Sequence, residues 1–306
     1  MTTQSITSIT DGQKKQYLRF VEDAAERALK ETALDKDGIQ KLIENGGELQ
    51  DGIAKLIAEL SMSDQYANEE VRSNYTYPKE YKGPKPIVDQ IKAIAEIFGL
   101  DPSNALEFAK KLPALPEGAE GWFAIPSVDA LAKKHFPEVT DPAQKYCQAV
   151  QLVHAKIAAS RSFCNHYEGQ ITPAQLRVHA RTAHALDLIA ETQKGDILIV
   201  AAQLGMRHRG KSVRRAREVF TANEFGLGAF AIGIMLLTHP EREVQWKQLH
   251  VDCAGDEFSP DADGFFSRAP VFSFDDDKVW GKVCFYAYRY DNAYVNYGSA
   301  SAFLSQ

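Results

Sequence analysis

Residues 283–304 read VCFYAYRYDNAYVNYGSASAFL, and the fold expected for the whole chain follows from this stretch. It holds five of the twelve tyrosines of the chain, all between Tyr286 and Tyr297. Tyr buries a large, stiff, amphipathic side chain at small entropic cost, and the interleaved Arg, Asp and Asn supply adaptable hydrogen bonds. The composition is therefore typical of a recognition surface. Alternate residues of a strand share a face, so we expect Tyr286, Tyr288 and Tyr290 to lie together.

The same stretch contains no Lys, Glu, Gln, Met or Trp. One interpretation is structural, because terminal strands favour aromatic and β-branched residues and exclude Lys and Glu. The other is genetic: none of these five residue types can arise from an AAC codon for Asn when its adenines are replaced at random. The sequence leaves both interpretations open.

The ending YGSASAFL, behind a run rich in Tyr, Asn, Asp and Ser, resembles the C-terminal variable region of proteins diversified by diversity-generating retroelements. Such proteins are targets of adenine-directed mutagenesis and display the altered side chains on a C-type lectin fold. The resemblance covers the last third of the chain and, more loosely, the middle third. Its upstream segments are GMRHRGKSVRRARE at 205–218, NEFGLGAF at 223–230 and DCAGDE at 252–257.

The resemblance implies a C-type-lectin-like domain with a small mixed or antiparallel sheet. The sequence pattern predicts a helical N-terminal half before it, and thus an α+β chain. The resemblance also implies a non-enzymatic binding protein, whose unknown ligand we expect to be a protein. We expect no metal and no cofactor. The expected ligand-binding residues are Phe285, Tyr286, Tyr288, Arg289, Tyr290, Asp291, Asn292, Tyr294, Asn296 and Tyr297.

The overall composition is that of an ordered acidic chain. Of its 306 residues, 44% are hydrophobic and 25% charged, which excludes a wholly disordered protein. The net charge of -6 argues against a general binder of nucleic acid or anionic membranes. The N-terminus lacks a basic segment followed by an apolar run, and no segment approaches about eighteen uninterrupted apolar residues. We therefore expect a cytoplasmic protein that does not enter a membrane.

The cysteines and histidines show no recognisable metal motif. Cys147, Cys164, Cys253 and Cys284 are widely spaced and include no CxxC pair, so buried thiols are expected rather than disulfides or a zinc site. The triplet Cys164-Asn165-His166 is interpreted as a coincidence of residue types, because a catalytic pair must meet in space with an orienting third group.

Hydrophobic periodicity divides the chain into four parts. Residues 1–60 have apolar positions at helical spacing and predict two or three short amphipathic helices, with a break at Gly46-Gly47. Residues 61–86 lose that periodicity and are rich in proline, which predicts a linker or a wrapping arm. Residues 87–195 form a helical middle region.

Helix-start signals within and after this middle region are local and specific. Ser127, Asp141 and Thr172-Pro173 predict helices, the last over 173–194. Residues 196–306 form the expected C-type-lectin-like ligand-binding domain. Its expected elements are a first strand over 197–202, a helix capped by Ser212, a buried helix over 225–237, and strands over 248–253, 270–274, 279–290 and 299–304, with the last strand returning to the first.

An alternative function is nucleotide binding. The residues from Gly205 to Ser212, GMRHRGKS, match the P-loop spacing and lie between a predicted strand and a predicted helix, where backbone N–H groups and the helix dipole bind phosphate. Bulky cationic loop residues and the lack of alternating strands and helices downstream argue against it. The basic stretch from Arg207 to Arg217 offers a second alternative, a nucleic-acid site.

The acidic residues that follow permit several interpretations. They can neutralise the basic stretch within the domain, hold calcium without matching the EF-hand pattern, or supply a carboxylate pair for hydrolysis. Internal pairing is the interpretation that we favour. The residues concerned are Asp252, Asp256, Glu257, Asp261 and Asp263.

Overall fold

The computed structural model describes residues 10–61, 63–275 and 281–304. The chain divides into two compact units between residues 62 and 63. It is 44% helical and 19% strand, with mixed sheets in the C-terminal half, which confirms the predicted α+β class. The start of the strand predicted over 279–290 lies outside the described residues.

The first unit consists of helices. Residues 10–61 form α1 (Asp11–Glu31), α2 (Lys36–Glu44) and α3 (Gly46–Ser61). Thr10 starts α1 with a capping box, in which its side chain accepts from the Gln13 N–H. The predicted break falls at Asn45, because Gly46-Gly47 open α3. Within α1 and α2 no side chain is buried, so amphipathicity here does not build a core.

The second unit, residues 63–304, contains the remaining elements. Its helices are α4 (Ile87–Phe98), α5 (Ser103–Ala109), α6 (Val128–His135), α7 (Pro142–Ser160), α8 (Ala180–Gln193), α9 (Val213–Glu218) and α10 (Ala229–Thr238). Its strands are β1 (Gly121–Pro126), β2 (Phe163–Asn165), β3 (Leu176–Val178), β4 (Ile197–Gln203), β5 (Glu224–Gly226), β6 (His250–Asp252), β7 (Asp256–Phe258), β8 (Arg268–Asp275), β9 (Lys282–Arg289), β10 (Tyr297–Ser299) and β11 (Ser301–Phe303).

Three helix starts predicted from capping residues are confirmed. Ser127 caps α6 by accepting from the Ala130 N–H, and Asp141 caps α7 by accepting from the Gln144 N–H. Ser212 caps α9 in the same way. A side-chain oxygen at this position satisfies one of the N–H groups that the first helical turn leaves unpaired.

Two predicted helices were wrong over their first residues. The chain over 173–194 forms a turn and then β3 before α8 begins at Ala180, because Leu176 and Val178 pair with β7. The chain over 225–237 starts as β5, since Phe225 pairs with Ala302 of β11, and α10 begins only at Ala229. In both places strand pairing with a distant segment overrides the local helical signal.

The strands form two sheets among the described residues. The smaller has the order β1-β4-β11-β5, and all its pairs are antiparallel. The last strand, β11, returns to β4 as predicted, and β1 pairs with the other side of β4. The larger sheet has the path β10-β6-β8-β7-β3, and β9 lies between β8 and β2. β9 runs antiparallel to β8 and parallel to β2, so this sheet is mixed.

The second unit has one main hydrophobic core, and a smaller cluster around α9 is separate from it. Helix α10 is buried along almost its entire length and packs against α7, where a Cβ at Gly233 would lie 2.6 Å from Val153 Cγ1. Buried residues of α4, α7, β4 and α10 belong to the same cluster. The predicted boundaries at 86/87 and 195/196 therefore fall inside one compact unit.

A fragment containing residues 63–306 is expected to fold without the first unit, because it holds this entire core. Thermal unfolding followed by circular dichroism should give a cooperative transition within a few degrees of that of the full chain. A non-cooperative transition in the fragment would contradict this expectation.

Candidate functional site

Strand β9 alternates between the core and the surface. Val283, Phe285 and Ala287 are buried, whereas Tyr286 is half-buried and Tyr288 is 37% exposed. Phe285 has no exposed surface and packs on Phe272, with ring centroids 5.2 Å apart. Its assignment as a ligand-binding residue is therefore corrected, because the pleat turns it inward.

The outward side chains of β9 join a continuous cluster of rings. His166 stacks on Tyr286 at 4.0 Å and 16°, and Tyr286 stacks on Tyr288 at 5.9 Å and 18°. Tyr288 lies 5.6 Å from Tyr294 and 5.9 Å from Tyr297, and these two rings are 5.6 Å apart. We call these five residues the aromatic surface. The sequence predicted its four tyrosines but not His166, which β2 places beside β9.

Buried polar groups support the aromatic surface from below. Tyr297 is only 8% exposed and forms the floor, which corrects its predicted display at the surface. Its ring lies 5.3 Å from that of His250, and Trp246, which is 49% exposed, lies 5.9 Å from His250 on another side. His250 Nδ1 lies 2.5 Å from a carboxylate oxygen of the buried Glu243, and this contact fixes the imidazole. Burial raises the pKa of the Tyr297 phenol.

The rim of the aromatic surface is polar. Arg289 donates to both carboxylate oxygens of Asp291, at 3.0 and 2.7 Å, and this pairing lowers the pKa of Asp291. Asn292 is exposed and donates to the Tyr294 hydroxyl at 3.5 Å, while Asn296 is half-buried. These residues beside the rings in the chain are therefore polar, and of them Arg289 and Asn292 are exposed.

Tyr290 lies apart from the aromatic surface. The Arg214 guanidinium lies 5.4 Å from the Tyr290 ring and 4.0 Å from that of Tyr66. The prediction that Tyr290 lies beside Tyr288 was therefore wrong, because the strand ends at Arg289 and the chain turns towards α9.

The basic stretch is paired mainly with the segment before α4. Only Arg217 uses the acidic run predicted to neutralise it, through Glu257 at 3.8 Å. Residues 63–70 provide most other partners, so this segment wraps onto α9 rather than acting as a free linker. The remaining pairs are Arg207 with Glu224, Lys211 with Glu70, Arg214 with Glu69, and Arg215 with Asp64, Glu70 and Glu218.

The loop with P-loop spacing does not have the geometry of a phosphate cradle. It packs tightly, since a Cβ at Gly205 would lie 2.7 Å from the Gly298 carbonyl oxygen, and α9 after it has only six residues. Its backbone N–H groups already donate within the protein, which favours a structural role. Gly205 and Arg207 donate to Gln203 Oε1, Met206 to the Tyr77 hydroxyl, Gly210 to the Tyr297 carbonyl and Ser212 to the Glu69 carbonyl.

The acidic residues do not converge on a common point among the described residues. Asp256 is buried and accepts from the Tyr146 hydroxyl at 2.7 Å and from the Ala229 N–H at 2.7 Å. Burial raises the pKa of both Asp252 and Asp256 to about 7. Glu257 pairs with Arg177 instead. Each carboxylate thus has its own surroundings, which favours structural roles over a calcium site.

One group of metal-ligating side chains does converge within the described ranges: Cys164, His166 and Cys284. Cys164 Sγ lies 3.2 Å from His166 Nε2, and the three ligand atoms lie within 4.8 Å of one another. Burial raises the pKa of the Cys284 thiol to about 11. Sequence spacing could not reveal this group, because Cys284 joins it only through strand pairing.

A separate cavity of about 410 Å³ lies among α6, α7, α8 and β4. Its walls are mainly apolar, and two of its charged groups are engaged, since Lys145 pairs with Asp129 and Arg177 with Glu257. The volume suits a small apolar molecule. Few polar groups remain to orient such a ligand, and the cavity shares no residue with the aromatic surface.

None of the helices in the described ranges has both the length and the apolar character needed to cross a membrane. Comparisons of this chain with protein-family models, with curated proteins and with solved structures gave no match.

Proposed function

We propose that the protein is a non-enzymatic binding protein whose aromatic surface recognises another protein. The observation that carries this proposal is the unbroken series of ring contacts from His166 through Tyr286 and Tyr288 to Tyr294 on the outer side of β9. Aromatic side chains surrounded by polar groups dominate the binding energy of protein interfaces. In line with the resemblance, we propose that these positions are diversified on a C-type-lectin-like frame.

The frame beneath the surface explains why such residues are replaceable. β8 and β9 pair over eight residues, from Arg268↔Arg289 to Asp275↔Lys282. This pairing is made by backbone groups, so it does not depend on which side chains the outer face carries. The inward residues of β9 fill the core, and the outward tyrosines do not. Substitutions at surface positions usually change the free energy of unfolding by no more than about 0.5 kcal/mol. Side chains on this face can therefore vary while the fold persists.

The main test replaces Tyr286, Tyr288 and Tyr294 together with Ala. Proteins captured from a lysate of the source cells by the wild type are purified, and their affinity is measured by calorimetry. We expect the triple variant to bind at least about a hundredfold more weakly, because hot-spot truncations cost about 2 kcal/mol or more each. Its melting temperature should fall by only a few degrees.

A matched control removes three exposed apolar side chains elsewhere, Val88, Leu115 and Phe265, which are 39%, 41% and 69% exposed. This variant should keep the wild-type affinity. Equal binding by the wild type and the tyrosine variant would contradict the proposal. A large fall in the melting temperature of that variant would also contradict it, because the tyrosines would then belong to the core. Diversification is tested separately in the neighbouring DNA. A near-duplicate of the final coding segment, differing mainly at adenines and adjacent to a reverse transcriptase gene, is the expected finding.

A further inference from the structure

The cysteine and histidine cluster arises from one strand pairing. β2 lies parallel to β9 with Cys164 opposite Cys284, so both thiols project from the same face of the sheet. His166 follows just after β2, and its backbone N–H donates to the Phe285 carbonyl, which holds the chain against β9. The three side chains therefore meet at the edge of a regular sheet rather than on a free loop.

The distances are close to those of a tetrahedral zinc site. With Zn–S bonds of about 2.3 Å and Zn–N bonds of about 2.0–2.1 Å, tetrahedral ligand atoms lie about 3.5–3.8 Å apart. The 3.2 Å between Cys164 Sγ and His166 Nε2 is a few tenths of an ångström shorter than that range, and all three ligand atoms lie within 4.8 Å of one another.

The surroundings also suit a bound ion. Tyr286 stacks on the imidazole at 4.0 Å and fixes its plane, with Nε2 directed at the thiols. Cys284 is fully buried, Cys164 is half-buried and His166 is exposed, so the group opens outward beside Tyr286. No fourth His, Cys, Asp or Glu of the described residues joins it. Thiolate and imidazole ligands select zinc over the hard cations calcium and magnesium.

We propose that Cys164, His166 and Cys284 bind one Zn²⁺ ion through two thiolates and Nε2, leaving one coordination position open at the edge of the aromatic surface. Binding releases the thiol protons to solvent, so affinity rises with pH. The open position takes water or a ligand atom from a bound molecule, as in zinc sites with three protein ligands. The sequence alone predicts no metal at Cys164-Asn165-His166, because spacing cannot identify Cys284 as the third ligand.

The test is a titration of the full chain with Co²⁺, in a buffer whose non-thiol reductant keeps the cysteines reduced. Zn²⁺ is then added to displace the bound Co²⁺. One equivalent should produce visible bands of tetrahedral cobalt together with a thiolate-to-cobalt charge-transfer band, and Zn²⁺ should abolish both. Cys164→Ser and His166→Ala should each weaken Zn²⁺ binding by more than about a hundredfold, since even the loss of a group that only orients a ligand costs about 10–100-fold. Chelator competition measures these affinities.

Matched controls are Cys147→Ala, a buried thiol in another part of the core, and His184→Ala, an exposed histidine on α8. Both should bind Zn²⁺ as tightly as the wild type. Circular dichroism checks that each variant is folded, and Cys164, which is only half-buried, tolerates replacement better than Cys284. Absence of a charge-transfer band in reduced wild type overturns the proposal. So does unchanged Zn²⁺ affinity in Cys164→Ser, or preferential binding of Cu⁺ with no measurable affinity for Zn²⁺.

Discussion

Replacing Arg242 with Met is expected to lower the free energy of unfolding by about 3–5 kcal/mol, the cost of breaking a buried ion pair from one side. Arg242 has no exposed surface and lies 3.4 Å from the equally buried Glu243. It also donates to the carbonyls of Leu204 and Leu249, both at 2.8 Å, and its guanidinium lies 4.2 Å from the Tyr77 ring. The variant leaves a buried carboxylate and two carbonyls short of donors. Chemical denaturation at neutral pH measures the change.

Two comparisons separate this effect from general loss of an arginine. Arg289→Met removes the ion pair between the exposed Arg289 and Asp291 and should leave the free energy of unfolding nearly unchanged. Adding Glu243→Gln to Arg242→Met should cost less than the sum of the single changes, because the unpaired charge is then gone. A loss below about 1 kcal/mol in Arg242→Met would show that the pair contributes little.

Replacing Asp252 with Asn is expected to have a more favourable effect on the free energy of unfolding at pH 8 than at pH 4. The difference between the two effects should be up to about 4 kcal/mol. Burial raises the pKa of this carboxyl to about 7 in the folded protein, against an ordinary value of 3.8. The folded state therefore holds the proton more tightly than the unfolded state. The stabilisation from a neutral Asp252 is complete below about pH 4 and is lost as the pH rises to about 7. Asn stays neutral throughout.

The quantity to measure is the difference in unfolding free energy between the variant and the wild type at several pH values. The difference is needed because His154, His179 and His239 have pKa values lowered by burial, to about 3, 3 and 4, and they make the wild type more stable as pH rises. These groups cancel in the difference. A difference that stays constant from pH 4 to pH 8 would contradict the expectation.

A matched carboxyl variant should behave in the opposite way. Arg289 lowers the pKa of the partly exposed Asp291, so its small contribution to stability is present at neutral pH and is lost as the pH falls. Asp291→Asn should therefore slightly destabilise the protein at pH 8. The two variants differ in sign because burial without a partner favours the neutral acid, whereas a nearby guanidinium favours the carboxylate.

Prediction from the sequence was most accurate where one local signal determined the structure. The Ser127 and Ser212 caps placed the starts of α6 and α9, and the apolar run from Ile197 placed β4. Each signal acts within one helical turn or one strand. The same holds for β9, where alternation separated Tyr286 and Tyr288 from the core. The exception was Phe285, which the period of two already places on the inner face.

Prediction failed where distant segments compete for the same backbone. Leu176 and Phe225 were expected in helices and instead pair with β7 and β11. The acidic run of the same region was predicted to pair with the basic stretch. Glu69 and Glu70, which pair with Arg214 and Lys211, lie instead in the segment 63–70. Nothing within a short window of sequence specifies these contacts, because they depend on which strands and segments become neighbours.

The sequence by itself determined the α+β class, the helix starts at capping serines, and a tyrosine-rich outer face on β9. Only the tertiary structure decided that His166 extends this face, that Tyr297 forms its floor and Tyr290 leaves it, and that Cys164 meets Cys284. The physical reason is range. Capping and side-chain alternation are set by residues adjacent in the chain, whereas strand neighbours are chosen by the burial of the whole core, and that choice brings remote side chains together.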